Sequence, residues 1–109
     1  MQMTLTAVST PNRHPYAARM EELCHSLPCL RSMPSAWLPW DANVLAERWG
    51  TASSGEKAGI QFVLNVWNHH WRDWQDEFGI PPFTVQDFAR LDEDSAAAVA
   101  AWFAAPFWP

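Results

Sequence analysis

One apolar repeat constrains this chain more than any other feature of its sequence. Within residues 60–78, six large apolar residues recur at spacings of 4, 3, 4, 3 and 4. They are Ile60, Leu64, Trp67, Trp71, Trp74 and Phe78. At about 100° per residue, such spacings place all six within about 80° on one face of an α-helix. We therefore expect a helix whose apolar face, including its three tryptophans, is largely buried.

The ends of this helix are marked by residues with capping roles. Ser53 and Glu56 have the spacing of a capping box, in which each side chain bonds the backbone N–H of the other residue. Gly79 can adopt the left-handed conformation that ends many helices, and the prolines at 81 and 82 prevent continuation. The sequence thus predicts one long central helix over about 54–78.

The opposite face of the predicted helix changes character along its length. Its first half carries Phe62 and Val66, so packing should cover the helix on two sides there. In the second half the same sector is polar and acidic, and should be exposed to solvent. Its residues are His69, Asp73, Asp76 and Glu77.

Shorter helices are predicted on the N-terminal side of this segment. An apolar stripe at helical spacing predicts a helix that ends at Pro28. The stripe consists of Tyr16, Met20, Cys24 and Leu27. Residues 28–40 contain three prolines and predict an irregular connection, after which Asp41 is a good N-cap for a helix through Trp49.

On the C-terminal side, Thr84 and Asp87 predict the start of a short helix, and the alanine-rich segment 95–102 predicts the last one. The fold class is therefore all-α: a small single-domain bundle of four to five helices around the central helix. Residues 1–13 are predicted to form a flexible or extended N-terminal arm, and residues 14–109 a single helical domain.

Aromatic composition and charge limit the classes of partner. The chain has eight tryptophans and six phenylalanines, residues that fill cores and also anchor protein interfaces. Its net charge is −5, with +1 in residues 1–40 and −6 in residues 41–109. Phosphate binding needs clustered Lys and Arg, so direct contact with nucleic acid or an anionic membrane is disfavoured. An acidic C-terminal half instead suits a basic protein partner.

The chain shows no pattern typical of targeting or of membrane insertion. No apolar run approaches the ~18 residues of a membrane span, and residues 1–13 lack the basic start and long apolar stretch of a secretory signal. Two cysteines are then expected to be reduced thiols, which predicts a cytoplasmic protein. The excess of Arg over Lys favours a bacterial genome or its mobile elements.

A small metal-binding or enzymatic domain is the first alternative. Cys24 and Cys29, with His69 and His70, have the donor atoms of a zinc-type site. The spacing of the two cysteines is loose for such a site, however, and a buried free cysteine behaves as a small apolar residue. We therefore predict no metal and no cofactor, and the alternative stays open.

His69, Asp73 and Glu77 stand four residues apart along the predicted helix, a spacing that could chelate a metal or serve acid–base chemistry. A solvated face with weak helical contacts explains the same pattern. A helix-turn-helix over 42–70 is a further alternative. Its recognition helix would offer Lys57, Gln61 and Asn65 with almost no positive charge.

The sequence therefore predicts a non-catalytic protein-binding domain. Such a domain could be a small acidic inhibitor or adaptor of a basic partner that processes nucleic acids. The protein itself is expected to be of bacterial or phage type. Acidic residues without a capping role are the best candidates for the contact, together with the apolar tail that could anchor it. The predicted partner-binding residues are Asp73, Asp76, Glu77, Phe107 and Trp108.

Overall fold

A computed structural model of the chain describes residues 13–109, the side chain of Trp71 excepted. Seven α-helices and one 3-10 turn occur in this range, and no strand does. The α-helices are α1 (Ala17–Ser26), α2 (Pro28–Arg31), α3 (Ala42–Trp49), α4 (Ser54–Trp67), α5 (Trp71–Phe78), α6 (Val85–Phe88) and α7 (Glu93–Ala104), and the 3-10 turn is Pro34–Ala36. The all-α class is thus confirmed. In this range no helix is both long and apolar enough to cross a bilayer.

The predicted number of four to five helices was too low because the predicted connection over 28–40 contains the single-turn helix α2, and because the predicted helix over 54–78 is divided into α4 and α5. Pro28 was expected to end α1, and it also begins α2, since the first position of a helix needs no backbone N–H. The predicted flexible or extended arm, residues 1–13, lies outside the described residues except for Arg13. That guanidinium pairs with the Glu21 carboxylate at 2.5 Å.

Helix α4 is the centre of the fold and packs against α1, α2 and α3. Ile60, Val63 and Leu64 are fully buried, and Phe62 and Val66 are buried as well. Apolar residues are therefore covered on more than one side of α4, as the sequence predicts.

The expected single helix over 54–78 is wrong, because the chain leaves the helical conformation at residues 68–70. Asn68 is extended, with φ −139° and ψ 104°. Its side-chain oxygen accepts the His70 N–H at 3.0 Å, and its amide donates to Asp73 Oδ2 at 3.0 Å. Such local side-chain bonds compete with helical backbone bonds and stabilise the break. Helix α5 can then pack against α3.

Trp74 ties the two segments together across the break. It is buried, and its indole N–H lies 3.1 Å from both Leu64 O and Asn68 O near the end of α4. Trp67 is only half-buried, and it makes edge-to-face contacts with the His14 and Trp40 rings. The expectation that the tryptophans are largely buried is confirmed for Trp74. Trp67 is partly buried and packs against the core, and the side chain of Trp71 is not described.

The predicted caps are all present. Both bonds of the capping box form at Ser53–Glu56 and again at Thr84–Asp87. The carboxylate of Asp41 accepts two backbone N–H groups at the start of α3. Gly79 has φ 73° and ends α5. These caps involve residues within four positions of one another, so each could be predicted from local sequence alone.

Gly59 allows α2 to approach α4 closely. A Cβ at this position would lie 2.6 Å from Cys29 Sγ and 3.5 Å from the Leu30 side chain. We expect Gly59→Ala to lower the free energy of unfolding by about 1–3 kcal/mol through overpacking, although alanine is the better helix former. Denaturant unfolding followed by circular dichroism measures the change.

Gly50 offers a matched control for that substitution. A Cβ at Gly50 would meet nothing within 4 Å, and its φ of −61° suits any residue. We expect Gly50→Ala to leave stability unchanged or to raise it by up to about 1 kcal/mol. Equal effects of the two substitutions would contradict the close approach of α2 and α4.

Candidate protein-binding surface

Most of the large apolar side chains that the fold leaves exposed lie on one surface. Six such side chains are exposed among those that the structure describes. Four of them, together with half-buried Phe83, line two adjoining depressions formed by α4, α6, α7 and the C-terminal tail. We call this the aromatic surface, and define it as Phe83, Val85, Phe88, Phe103 and Trp108. The remaining two exposed residues, Leu38 and Val44, line neither depression.

The short helix α6 is held in place by polar residues of α4. Asn65 Oδ1 accepts the backbone N–H of Phe83 at 2.7 Å. Gln61, which is fully buried, donates its amide to Pro82 O at 3.3 Å and to Asp87 Oδ2 at 3.0 Å. The segment before α6 and the helix itself are thereby fixed to the core, and Val85 is left 88% exposed.

Helix α7 supplies one buried and one exposed aromatic ring in succession. Trp102 is buried, whereas Phe103 is 60% exposed, since neighbouring residues on a helix point about 100° apart. The buried ring of Phe62 lies under both, with centroids 5.5 Å from Trp102 and 6.1 Å from Phe103. The exposed ring of Phe103 thus packs against the buried rings of Phe62 and Trp102.

The two tail residues predicted to bind a partner have different environments. Trp108 is 58% exposed, with its ring centroid 5.1 Å from Trp102, and belongs to the aromatic surface. Phe107 is half-buried, stacks on Tyr16 at 6.0 Å, and has the Arg19 guanidinium 4.1 Å from its ring centroid. Phe107 therefore attaches the tail to α1 and does not line either depression.

The first depression, which we call the pocket, has a volume of about 180 Å³. It is lined by Phe62, Asn65, Val66, His69, Phe83, Trp102, Phe103 and Trp108. The second, which we call the groove, shares Phe83 and Phe103 with the pocket. It is completed by Thr84, Val85 and Phe88. Neither lining includes a Lys, Arg, Asp or Glu, so contact here would be apolar.

The three predicted acidic residues occupy a separate concave area. Asp73, Asp76 and Glu77 are exposed and line it with Asn43, Asn68 and Trp74. All three were predicted to have no local structural role. This is wrong for Asp73, because its carboxylate accepts a hydrogen bond from the Asn68 side-chain amide. None of the three lines the pocket or the groove. The structure thus brings the acids together with one another, but not with Trp108.

The sulfur and imidazole groups give no support to the metal-binding alternative. Cys24 is fully buried on α1 and Cys29 half-buried on α2. Burial raises the pKa of both thiols above its usual range and keeps them protonated, which disfavours nucleophilic attack and metal ligation. Residues 13–109 contain no group of three or more His, Cys, Asp or Glu side chains that could hold a metal ion, and His69 and His70 belong to no such group.

The residues that a helix-turn-helix would use for base contacts are engaged within the protein. Gln61 is fully buried, and Asn65 accepts the Phe83 N–H. The Lys57 ammonium lies 4.6 Å from the centre of the Trp49 ring. Helix α4 is central to the core rather than exposed on the surface, so its position does not favour DNA reading.

Comparison with known proteins assigns no family to this geometry. No protein-family model, curated protein or solved structure matches the chain.

Proposed function

We propose that this chain is a non-catalytic protein-binding domain that contacts a basic partner protein through the aromatic surface. One observation carries the proposal: four of the six large apolar side chains exposed in the described part of the chain line adjoining depressions. Single exposed apolar residues are common, whereas a contiguous apolar patch is typical of a contact site. Phenylalanine and tryptophan are also enriched at protein interfaces.

Charge supports a basic partner. Residues 85–104, which contain α6, α7 and the segment between them, carry four acidic residues and one basic residue, a net charge of −3. The one basic residue, Arg90, pairs with Asp87 at 2.5 Å. A partner with Lys and Arg around its apolar contact residues would be electrostatically complementary. Proteins that process nucleic acids carry such clusters, so an inhibitor or adaptor of one of them fits this surface.

A second copy of this chain is a poorer occupant of the aromatic surface. Each copy carries a net charge of −5, so two copies repel one another over distances of about 8–10 Å at physiological salt. A basic partner gains from the same field, which increases its rate of association. The acids outside the aromatic surface, Asp76 and Glu77 among them, would contribute to this rate rather than to the contact itself.

Capture from the organism that encodes the chain tests the proposal. The full-length chain is expressed with a tag, together with Phe103→Lys and Val85→Lys, which place a charge on the aromatic surface. Val44→Lys is the matched control, since Val44 is exposed on α3 and lines neither depression. We expect the wild type and the control to capture the same basic protein, and the two surface variants to bind it at least tenfold more weakly.

Two results would contradict the proposal. Equal capture by Phe103→Lys and Val44→Lys would exclude the aromatic surface as the contact site. If the captured protein is acidic and its binding depends on Phe103, the aromatic surface is the contact site, but the partner is not basic as proposed. Melting temperatures of all variants must match that of the wild type, so that a loss of capture reports on contact.

A further inference from the structure

The first twelve residues of the chain differ in composition from the residues that follow them. Their sequence, MQMTLTAVSTPN, contains no Asp, Glu, Lys or Arg. Apolar Met1, Met3 and Leu5 alternate in it with polar residues, a pattern that gives an extended segment one apolar face. A chain with a net charge of −5 thus includes an uncharged segment with large apolar side chains, directly before the described residues.

Residues 1–12 are long enough to reach the aromatic surface. The His14 ring lies 6.1 Å from Tyr16, whose ring lies 6.0 Å from Phe107. Phe107 in turn lies 6.3 Å from Trp102, which lines the pocket. Twelve extended residues span up to about 40 Å. This length is about twice the path along the three ring contacts, so the segment can lie across both the pocket and the groove.

The pocket and the groove suit apolar side chains without charge. Neither is lined by a Lys, Arg, Asp or Glu. The pocket has a volume of about 180 Å³, and an apolar cavity of about 150 Å³ is large enough for benzene. It therefore has room for one leucine or methionine side chain. Five of its eight lining residues are Phe or Trp, and a methionine sulfur makes favourable contacts with aromatic rings.

Another depression lies closer to the start of the described residues, but it is a poorer site for this segment. It is lined by Arg13, Asp41, Asn43 and Asn68 beside aromatic residues. An uncharged apolar segment would cover these charged and polar groups without giving them partners, which costs free energy. The aromatic surface has no charged side chain in its two depressions, so it is the better site.

We propose that residues 1–12 cover the aromatic surface of the same chain when no partner is bound, with Met3 and Leu5 in the pocket and the groove. This inference rests on the proposed function, because it assigns an autoinhibitory segment to the same surface. A tethered segment acts at an effective concentration in the mM range, so even a weak contact is populated. The cost of ordering the segment offsets much of the gain from burying its side chains, so a partner with more contacts displaces it.

The methionine methyl groups test this inference without a partner. The full-length chain is labelled with ¹³C at the methyl groups of its four methionines, Met1, Met3, Met20 and Met33, and studied by NMR. The Met3 signal is assigned from its absence in Met3→Leu. Because aromatic rings shift a methyl group that lies over them, we expect the Met3 signal upfield of its position in the urea-unfolded chain. Met20 and Met33 are buried in the core and serve as internal references.

Substitutions on the aromatic surface should remove this upfield shift. We expect the Met3 signal to return to its unfolded position in Phe103→Lys and in Val85→Lys. It should keep its shift in Val44→Lys, the matched control, since Val44 lines neither depression. If Phe103→Lys does not fold, Val85→Lys decides, because that side chain is 88% exposed.

Charges placed on the segment itself provide a second test. Met3→Asp with Leu5→Asp adds two carboxylates at apolar positions, whereas Thr4→Asp with Thr6→Asp adds the same charge at polar positions. The probe is the basic protein that the tagged chain captures. We expect the first variant to bind it about two- to tenfold more tightly than the second, because a larger fraction of the molecules has a free aromatic surface.

Four results would overturn the inference. The first is a wild-type Met3 signal at its unfolded position. The second is an upfield shift that both Phe103→Lys and Val85→Lys retain, which would place the segment elsewhere. The third is a shift that weakens on dilution, which would assign the segment to a second copy of the chain. The last is equal binding of the captured protein by the two double variants.

The two proposals can fail separately. If capture depends on Phe103 while the Met3 signal is not shifted, the proposed function stands and the autoinhibitory segment is wrong. If the Met3 shift depends on Phe103 but capture does not, the segment covers the aromatic surface and the proposed function fails.

Discussion

Replacing Trp74 by alanine should lower the free energy of unfolding by about 3–5 kcal/mol, the usual cost of a large aromatic truncation in a core. Trp74 is buried, and its N–H lies 3.1 Å from both Leu64 O and Asn68 O. The substitution removes an apolar contact and also the link between α4 and α5. Denaturant unfolding of the purified variant measures the loss.

Two further variants separate these contributions. Trp74→Phe retains an aromatic ring but removes the N–H, and should cost about 1–2 kcal/mol. Trp108→Ala truncates a tryptophan that is 58% exposed and should cost about 1 kcal/mol or less. A loss below about 1 kcal/mol for Trp74→Ala would show that this residue does not hold the two helices together.

The break between α4 and α5 could not be predicted from the apolar periodicity of the sequence. The apolar repeat continues without a change of phase from Leu64 to Trp74, so the sequence favours one helix. The interruption depends on the Asn68 side chain, which bonds the His70 N–H and the Asp73 carboxylate. No glycine or proline marks this position, and an asparagine within a helical pattern is a weak signal without knowledge of its partners.

The caps could be predicted from local sequence, whereas the aromatic surface could not. A cap such as Ser53 with Glu56 is formed by neighbours in sequence and could be predicted. The aromatic surface combines α6, α7 and the tail, and the placement of α6 depends on bonds from Gln61 and Asn65 of α4. The adjacent pair Trp102–Phe103 was the available signal, because two large rings next to each other on a helix cannot both be buried against one face.

The five residues that the sequence predicts for partner binding do not lie on one surface of the folded chain. Phe107 and Trp108 are neighbours of similar chemistry, but Phe107 contacts Tyr16 and Arg19, whereas Trp108 is 58% exposed and lies beside Trp102. The exposure of Asp76 and Glu77 followed from helical phase and is confirmed. That these acids and Trp108 line different depressions could not be inferred, because the sequence did not reveal the break in the helix at residues 68–70.

The position of α6 depends on one buried amide. Gln61 is fully buried. Its oxygen accepts the Trp49 indole N–H and an Arg90 N–H, each at 3.1 Å. Its NH₂ group donates to Pro82 O and Asp87 Oδ2. A buried amide with partners at both ends joins α3 and α4 to the segment that carries the aromatic surface.

We expect Gln61→Met to lower the free energy of unfolding by about 2–4 kcal/mol. Methionine has a similar length and shape, so little of the cost comes from a cavity. The cost arises because the Trp49 N–H and Pro82 O lose a partner, at about 1–3 kcal/mol for each buried group. Gln75→Met is the matched control, since Gln75 is exposed on α5, and should change stability by less than about 0.5 kcal/mol.

The same variant should loosen the aromatic surface before the whole chain unfolds. Without the amide, α6 keeps its capping box at Thr84 but loses two bonds to α4. Hydrogen exchange of the Phe88 and Ala89 amides should therefore become faster in Gln61→Met than the global loss of stability explains, while amides in the middle of α4 follow the global loss. Unchanged relative protection of α6 would show that Gln61 stabilises the core without positioning this surface.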